Sequence, residues 1–148
     1  MAFQFKLGPL LRLRQSIERQ QALHLREASL NVARAADALT RLNQYLAGSS
    51  EADLVNLRAG RTAVELHFAT MSRENLQRLR HELEEELARL KEQRQKVAAE
   101  YHRAYREREA LEILRDNHRQ LYRQEELRRD QRILDESHLI QFWRRRNG

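Results

Sequence analysis

The sequence predicts an all-α protein made of two long helices folded into an antiparallel coiled-coil hairpin, and three observations carry that reading. The first is composition. Of 148 residues, 34% are charged, 6% are aromatic and one is Pro, and the dominant Leu, Ala, Arg, Glu and Gln lose little side-chain freedom on becoming helical. The second is a run of apolar residues at alternating spacings of three and four. The third is one pause in that run, after which the pattern resumes.

Helix one is expected over about 9–47. Pro9 suits a first helical turn, and Gly8 stands just before it. Leu25, Ala28, Val32, Ala35, Leu39, Leu42 and Leu46 follow heptad a and d positions without a break, a pattern that builds a left-handed seam. Upstream, Ile17, Gln21, Leu25 and Ala28 step by four, four and three, which locally relaxes the supercoil.

The pause covers about 48–61. Gly48, Ser49, Ser50, Asn56 and Gly60 all disfavour helix interiors, and Gly readily ends a helix at positive φ. The chain is expected to turn back here, with Leu54, Val55 and Leu57 forming at most a short helical turn.

Helix two is expected over about 62–138, followed by a tail at 139–148. Its seam runs through Leu76, Leu79, Leu83, Leu87 and Leu90, then Val97, Tyr101, Ala104, Leu111, His118 and Tyr122. Arg94, Arg108 and Arg115 interrupt it. At 1.5 Å per residue, helix two spans roughly 110 Å and helix one roughly 60 Å. Part of helix two must therefore overhang, pack on the connection or be bound by another molecule.

The net charge of +6, from 28 basic and 22 acidic residues, conceals close mixing of signs. Glu74 with Arg78, Glu85 with Arg89 and Glu92 with Lys96 are acid-first pairs at i, i+4, the arrangement that supports an exposed helix. A solvated face explains most of this charge. The excess of base also suits an acidic partner surface.

Several functions are disfavoured. Cysteine is absent, so no disulfide or thiolate metal site is possible, and a reducing compartment fits. The first thirteen residues hold no signal-like apolar run, and no stretch approaches the roughly 20 apolar residues of a membrane span. A cytoplasmic location is expected. No glycine-rich phosphate cradle occurs, because Gly8, Gly48, Gly60 and Gly148 are isolated. His81–Glu82 is the one His-Glu pair, but Glu85 stands where a zinc-protease helix needs its second His. No metal, cofactor or catalytic residue is assigned, and the protein is not expected to be an enzyme. A two-helix hairpin offers no water-excluding pocket in which carboxylates could be tuned.

Phe142-Trp143-Arg144-Arg145-Arg146 combines arginines with an aromatic, as nucleic-acid binders do. It is short and terminal, and elsewhere acids accompany the bases, so no nucleic-acid partner is expected. The same mixing disfavours a membrane-surface helix and direct membrane insertion.

The motifs resemble those of the FliJ-type flagellar export proteins along essentially the whole chain. They begin with Phe3-x-Phe5-Lys6-Leu7-x-x-Leu10-Leu11-x-Leu13-Arg14 and continue with Leu39-x-x-Leu42-x-x-Tyr45 before the turn. Further on come Tyr105-Arg106-Glu107-Arg108-Glu109-x-Leu111-Glu112-x-Leu114, Tyr122 and Gln131-Arg132-x-Leu134-Asp135-Glu136. The resemblance implies a non-catalytic central stalk, similar to the coiled coil of a rotary ATP synthase γ subunit. In that family the end bearing both termini enters the hexameric flagellar export ATPase, and a surface nearer the turn contacts the cytoplasmic domain of the export gate membrane protein. The implied location is peripheral, at the inner face of the cell membrane at the flagellar base.

Carried over by position, the gate surface comprises Leu42, Tyr45, Leu79 and Leu83. Leu79 stands where the family often has an aromatic, and Ser49 replaces a second aromatic after Tyr45. Leu42, Leu79 and Leu83 also fit the heptad seam, whereas Tyr45 lies beside it and should be more exposed. Arg12, Arg14, Arg128 and Arg129 fall near the termini and are the expected contacts to an acidic ATPase lumen. The alternatives are the equivalent stalk of a virulence-type secretion system and a generic coiled-coil adaptor. Whether the stalk also carries export chaperones stays open.

Overall fold

A computed structural model describes residues 2–148. Two helices, α1 (Gly8–Arg58, 51 residues) and α2 (Ala63–Asn147, 85 residues), account for nearly all of them. No strand occurs among the described residues. The predicted all-α helical hairpin is what forms.

Two compact units can be distinguished. The terminal unit comprises residues 2–18 and 103–148, and the hairpin unit comprises 19–102. In the terminal unit the start of α1 meets the second half of α2, and in the hairpin unit the end of α1 meets the start of α2, so the pairing in each is antiparallel. In the hairpin unit Asp53 of α1 forms an ion pair with Arg73 of α2. In the terminal unit Arg14 meets Glu107, and Glu18 meets Arg108.

The helix ends follow from local chemistry. Before α1, the Gly8 N–H donates to the Phe5 carbonyl at 3.0 Å, and Pro9 opens the first turn. After α1, Gly60 adopts φ 83°, which a residue with Cβ rarely tolerates. Thr62 and Glu65 then form a reciprocal capping box at the start of α2. The Thr62 N–H donates to Glu65 Oε2 at 3.1 Å, and the Glu65 N–H to Thr62 Oγ1 at 3.4 Å. At the far end, Arg144, Arg145 and Arg146 occupy the last turn of α2, where cations favour the helix dipole.

Two sequence-based boundaries need correction. The connection is not 48–61: α1 continues through Gly48, Ser49 and Ser50 to Arg58, leaving only residues 59–62 outside helix. The heptad explains why. Past Leu46 the inward positions are Ser49, Asp53 and Asn56, still spaced three, four and three, so the helix keeps its partner although the seam turns polar. Ser49 Oγ also donates to the Leu46 carbonyl at 3.1 Å. The penalty for Gly48, about 1 kcal/mol in a helix interior, does not break a helix paired on its other face. Nor is 139–148 a tail apart from the helix, since α2 runs to Asn147; no Pro or Gly intervenes before Gly148.

The buried apolar residues are few: Leu11, Val32 and Ala104. Most seam residues, Leu25, Leu39, Leu83 and Leu87 among them, are half-buried, as expected where two helices share one stripe. Arg94, Arg108 and Arg115 do occupy inward positions, so the interruptions in the seam are real. Leu79 is a departure: it is 45% exposed and leaves the seam. His118 is also exposed, although it touches an aromatic ring described below.

Candidate functional site

The surface near the connection belongs to the hairpin unit. Tyr45 points outward and is 63% exposed, as its place one residue before Leu46 predicts. Leu79 is outward too, whereas Leu42 and Leu83 are half-buried seam residues. The four gate candidates thus divide into two exposed side chains and two whose main work is packing.

Sequence reasoning missed a larger feature in the same unit. Leu54, Val55, Leu57, Val64, Phe68 and Met71 are all exposed, Phe68 by 73%. Val64, Phe68 and Met71 follow i, i+4, i+7 spacing, so they form a stripe on α2. The seam beside them is polar, held by Asp53 and Arg73. Around the connection the inward side of α1 is polar, with Ser49, Asp53 and Asn56 half-buried, while Leu66 and Ala69 face in from α2 and a second apolar set faces out. The stripe lies within the predicted second helix and its spacing is legible there; reading 48–61 as a loop hid only Leu54, Val55 and Leu57 as helical residues.

The terminal unit is built differently. The segment before α1, residues 2–7, forms a strap across α2, with the rings of Phe3 and Tyr122 5.7 Å apart and those of Phe5 and His118 5.9 Å apart, the latter edge to face. Next comes a polar cluster. Arg14 Nη1 donates to Glu107 Oε2 at 2.5 Å, and Gln15 Nε2 to Glu112 Oε1 at 3.4 Å. Arg108 grips both carboxylate oxygens of Glu18, from Nε at 2.5 Å and Nη2 at 3.2 Å, and Nη1 donates to Glu112 at 2.5 Å. Its guanidinium also lies 4.8 Å from the centre of the Tyr105 ring.

Such a fork is the strong form of an ion pair, and only 17% of either side chain is exposed. The Glu18 hydrogen bond pushes the Arg108 pKa still higher than usual, so this cation is permanent. Nearby, a hydrogen bond to the Glu126 carboxylate pushes the Tyr122 phenol above its ordinary range.

Beyond residue 126 every side chain of α2 is exposed. This overhang carries Leu127, Ile133, Leu134, Leu139, Ile140, Phe142 and Trp143. At about 100° per residue, these seven fall on all sides of the helix rather than in a stripe. Six arginines accompany them, at 128, 129, 132, 144, 145 and 146, against Asp130, Asp135 and Glu136. Of the four predicted ATPase contacts, Arg12, Arg128 and Arg129 are exposed, whereas Arg14 is engaged by Glu107.

Residues 3–147 match the family described as Flagellar FliJ protein. The chain belongs to that family. The match runs through the strap, both helices and the overhang, and makes this a FliJ-type flagellar export protein. No curated protein and no solved structure matches the chain. Among the described residues no group of three or more His, Cys, Asp or Glu side chains could hold a metal ion, and no helix is long and apolar enough to cross a membrane.

Proposed function

We propose that this protein is a non-catalytic central stalk of the flagellar export ATPase, with its terminal unit inserted in the hexamer and its hairpin unit turned to the export gate. The observation that carries the reading is the overhang, 127–147, with apolar side chains on all sides of one exposed helix. Apolar side chains exposed on every side of a helix can be covered together only by a partner that surrounds it, and the bore of a ring encloses a helix from every direction. The excess of arginine there suits an acidic lumen. Uneven contact between one helix and six equivalent subunits would favour one nucleotide state over another, which is how a stalk without chemistry can alter turnover.

At the other end, Tyr45 is the exposed aromatic of the gate set, with Leu79 beside it in exposure and Leu42 and Leu83 supporting from the seam. The site of action is then cytoplasmic, at the inner face of the membrane at the flagellar base, without insertion into the bilayer.

The direct test uses purified full-length protein and a truncation ending at Glu126, each mixed with the export ATPase. The full chain should promote hexamer formation and raise turnover, and the truncation should do neither while keeping its melting temperature. Equal stimulation by both proteins would rule the overhang out as the inserted element.

A further inference from the structure

Among the described residues three ion pairs cross between the helices, and two of them, Glu18–Arg108 and Asp53–Arg73, occupy equivalent positions. Glu18 and Asp53 lie 35 residues apart on α1, and their partners Arg108 and Arg73 lie 35 apart on α2. That interval is five heptads in both helices. The same spacing from acid to acid and from arginine to arginine is thus written in both helices.

One heptad further along α2 from each arginine stands another, Arg80 after Arg73 and Arg115 after Arg108. Their present partners lie on their own helix: Glu84 at 3.8 Å from Arg80, and the neighbouring Asp116 at 3.1 Å from Arg115. Such exposed local pairs contribute little, which leaves both cations available. In the opposite direction, the corresponding residues are Leu66 and Tyr101, which offer no cation. A slide of seven residues one way re-forms both acid–arginine pairs; a slide the other way loses both.

The apolar seam permits the first slide. It repeats every seven residues over 25–46 of α1 and 83–111 of α2, so a one-heptad shift sets inward positions against inward positions again. The shift is roughly 10.5 Å, seven residues at 1.5 Å. The connection can follow, because residues 63–69 at the start of α2 would pass the end of α1 and supply slack once the Thr62–Glu65 box opened.

Other contacts favour the present register. One heptad on, Glu107 is replaced by Leu114, Glu112 by Arg119, His118 by Glu125 and Tyr122 by Arg129. The Arg14 and Gln15 contacts and both aromatic contacts of the strap would be lost. The strap thus favours the present register over one that would keep the same ion-pair chemistry.

We propose that α1 and α2 exchange between the present register and one slid by a heptad, with Glu18 moving from Arg108 to Arg115 and Asp53 from Arg73 to Arg80. A partner that lifts the strap would favour the slid state and move the C-terminal overhang about 10.5 Å along the end of α1. The inference rests on the hairpin alone and not on the stalk reading, so the two can fail separately.

The chain has no cysteine, which makes introduced thiols clean reporters. A disulfide requires Cα atoms within about 7 Å, less than the slide. In the full-length protein, Gln15→Cys with Glu112→Cys reads the present register, Gln15→Cys with Arg119→Cys reads the slid one, and Gln15→Cys with Asp116→Cys matches neither. Under mild oxidation the first pair should close fastest within a single chain, and the second should close well above the third. Phe3→Ala with Phe5→Ala should raise closure of the slid pair several-fold. Arg80→Leu alone, remote from the reporter, should lower it toward the mismatched control and leave the first pair unchanged. If the slid pair closes no faster than the mismatched control, or ignores Arg80→Leu, the exchange is only fraying and the proposal is overturned.

Discussion

The terminal and hairpin units hold the same two helices together by different means. In the hairpin unit, Leu, Val and Ala fill the inward heptad positions of α1 from 25 to 46, while polar groups enter at Gln21, at Arg94 of α2 and near the connection. In the terminal unit, one buried leucine, Leu11, precedes a cluster of Arg14, Gln15, Glu18, Glu107, Arg108 and Glu112. An apolar layer stabilises without caring which heptad it faces. A forked ion pair contributes less net stability, because two charges must shed water, but it is particular about its partner. The difference teaches that one coiled coil can separate strength from specificity along its length.

The largest effect on folding should come from the apolar side. Leu83→Ala is expected to destabilise by about 2 kcal/mol, the low end for a leucine truncation because the site is half-buried. Tyr45→Ala should change stability by under about 0.5 kcal/mol while weakening capture of the export-gate cytoplasmic domain. Urea unfolding and a binding titration on both variants would check this. A Tyr45→Ala protein that melts like Leu83→Ala would return the tyrosine to packing.

On the polar side, Arg108→Ala leaves the Glu18 and Glu112 carboxylates half-buried without their cation, at a cost of about 1–3 kcal/mol. Hydrogen exchange should localise the loss. Amides at 8–18 and 103–118 should exchange faster, with those at 25–46 unchanged. Uniform acceleration across both units would mean that strength and specificity are not separable here.

A third substitution sharpens the boundary. Gln21 interrupts the apolar spacing in the hairpin unit, and its Oε1 is buried with no hydrogen-bond partner. Gln21→Leu should therefore stabilise by about 1 kcal/mol, read as an upward shift of the urea midpoint. No gain would indicate that the amide finds a partner in solution.

Reversing exposed charge should also have a small effect on stability. Replacing Arg12, Arg14, Arg128 and Arg129 by Glu should cost under about 1 kcal/mol, mostly through the lost Arg14–Glu107 contact. Stimulation of the export ATPase should fall much further, and the gap between variant and wild type should narrow as salt approaches several hundred millimolar. Full stimulation by the fourfold variant at low salt would move the productive contact elsewhere.

Much of this architecture was legible in the residues. The fold class and start of α1 followed from Pro9 and the heptads, and the exposure of Tyr45 from its place beside Leu46. The end of α1 was not legible, because Gly48, Ser49 and Ser50 are weak helix formers whose local cost is outweighed by a long-range partner, Arg73 for Asp53. Leu79 fitted a leucine ladder on paper yet faces solvent; spacing alone does not say which of two adjacent stripes a partner helix covers. The Glu18–Arg108 fork was equally hidden, since 90 residues separate its members. Arg108 read only as an interruption.

The four-residue connection also orders the making of the protein. Contacts near Gly60 join residues close in sequence, such as Asp53 with Arg73, whereas Phe3 reaches Tyr122 across most of the chain. Short loops close at less entropic cost, so pairing should begin at the turn and zip toward the termini. During synthesis the segment through Tyr122 leaves the ribosome before Leu127, Ile133 or Trp143. The overhang with its exposed apolar side chains is therefore made after both helix segments that pair with each other.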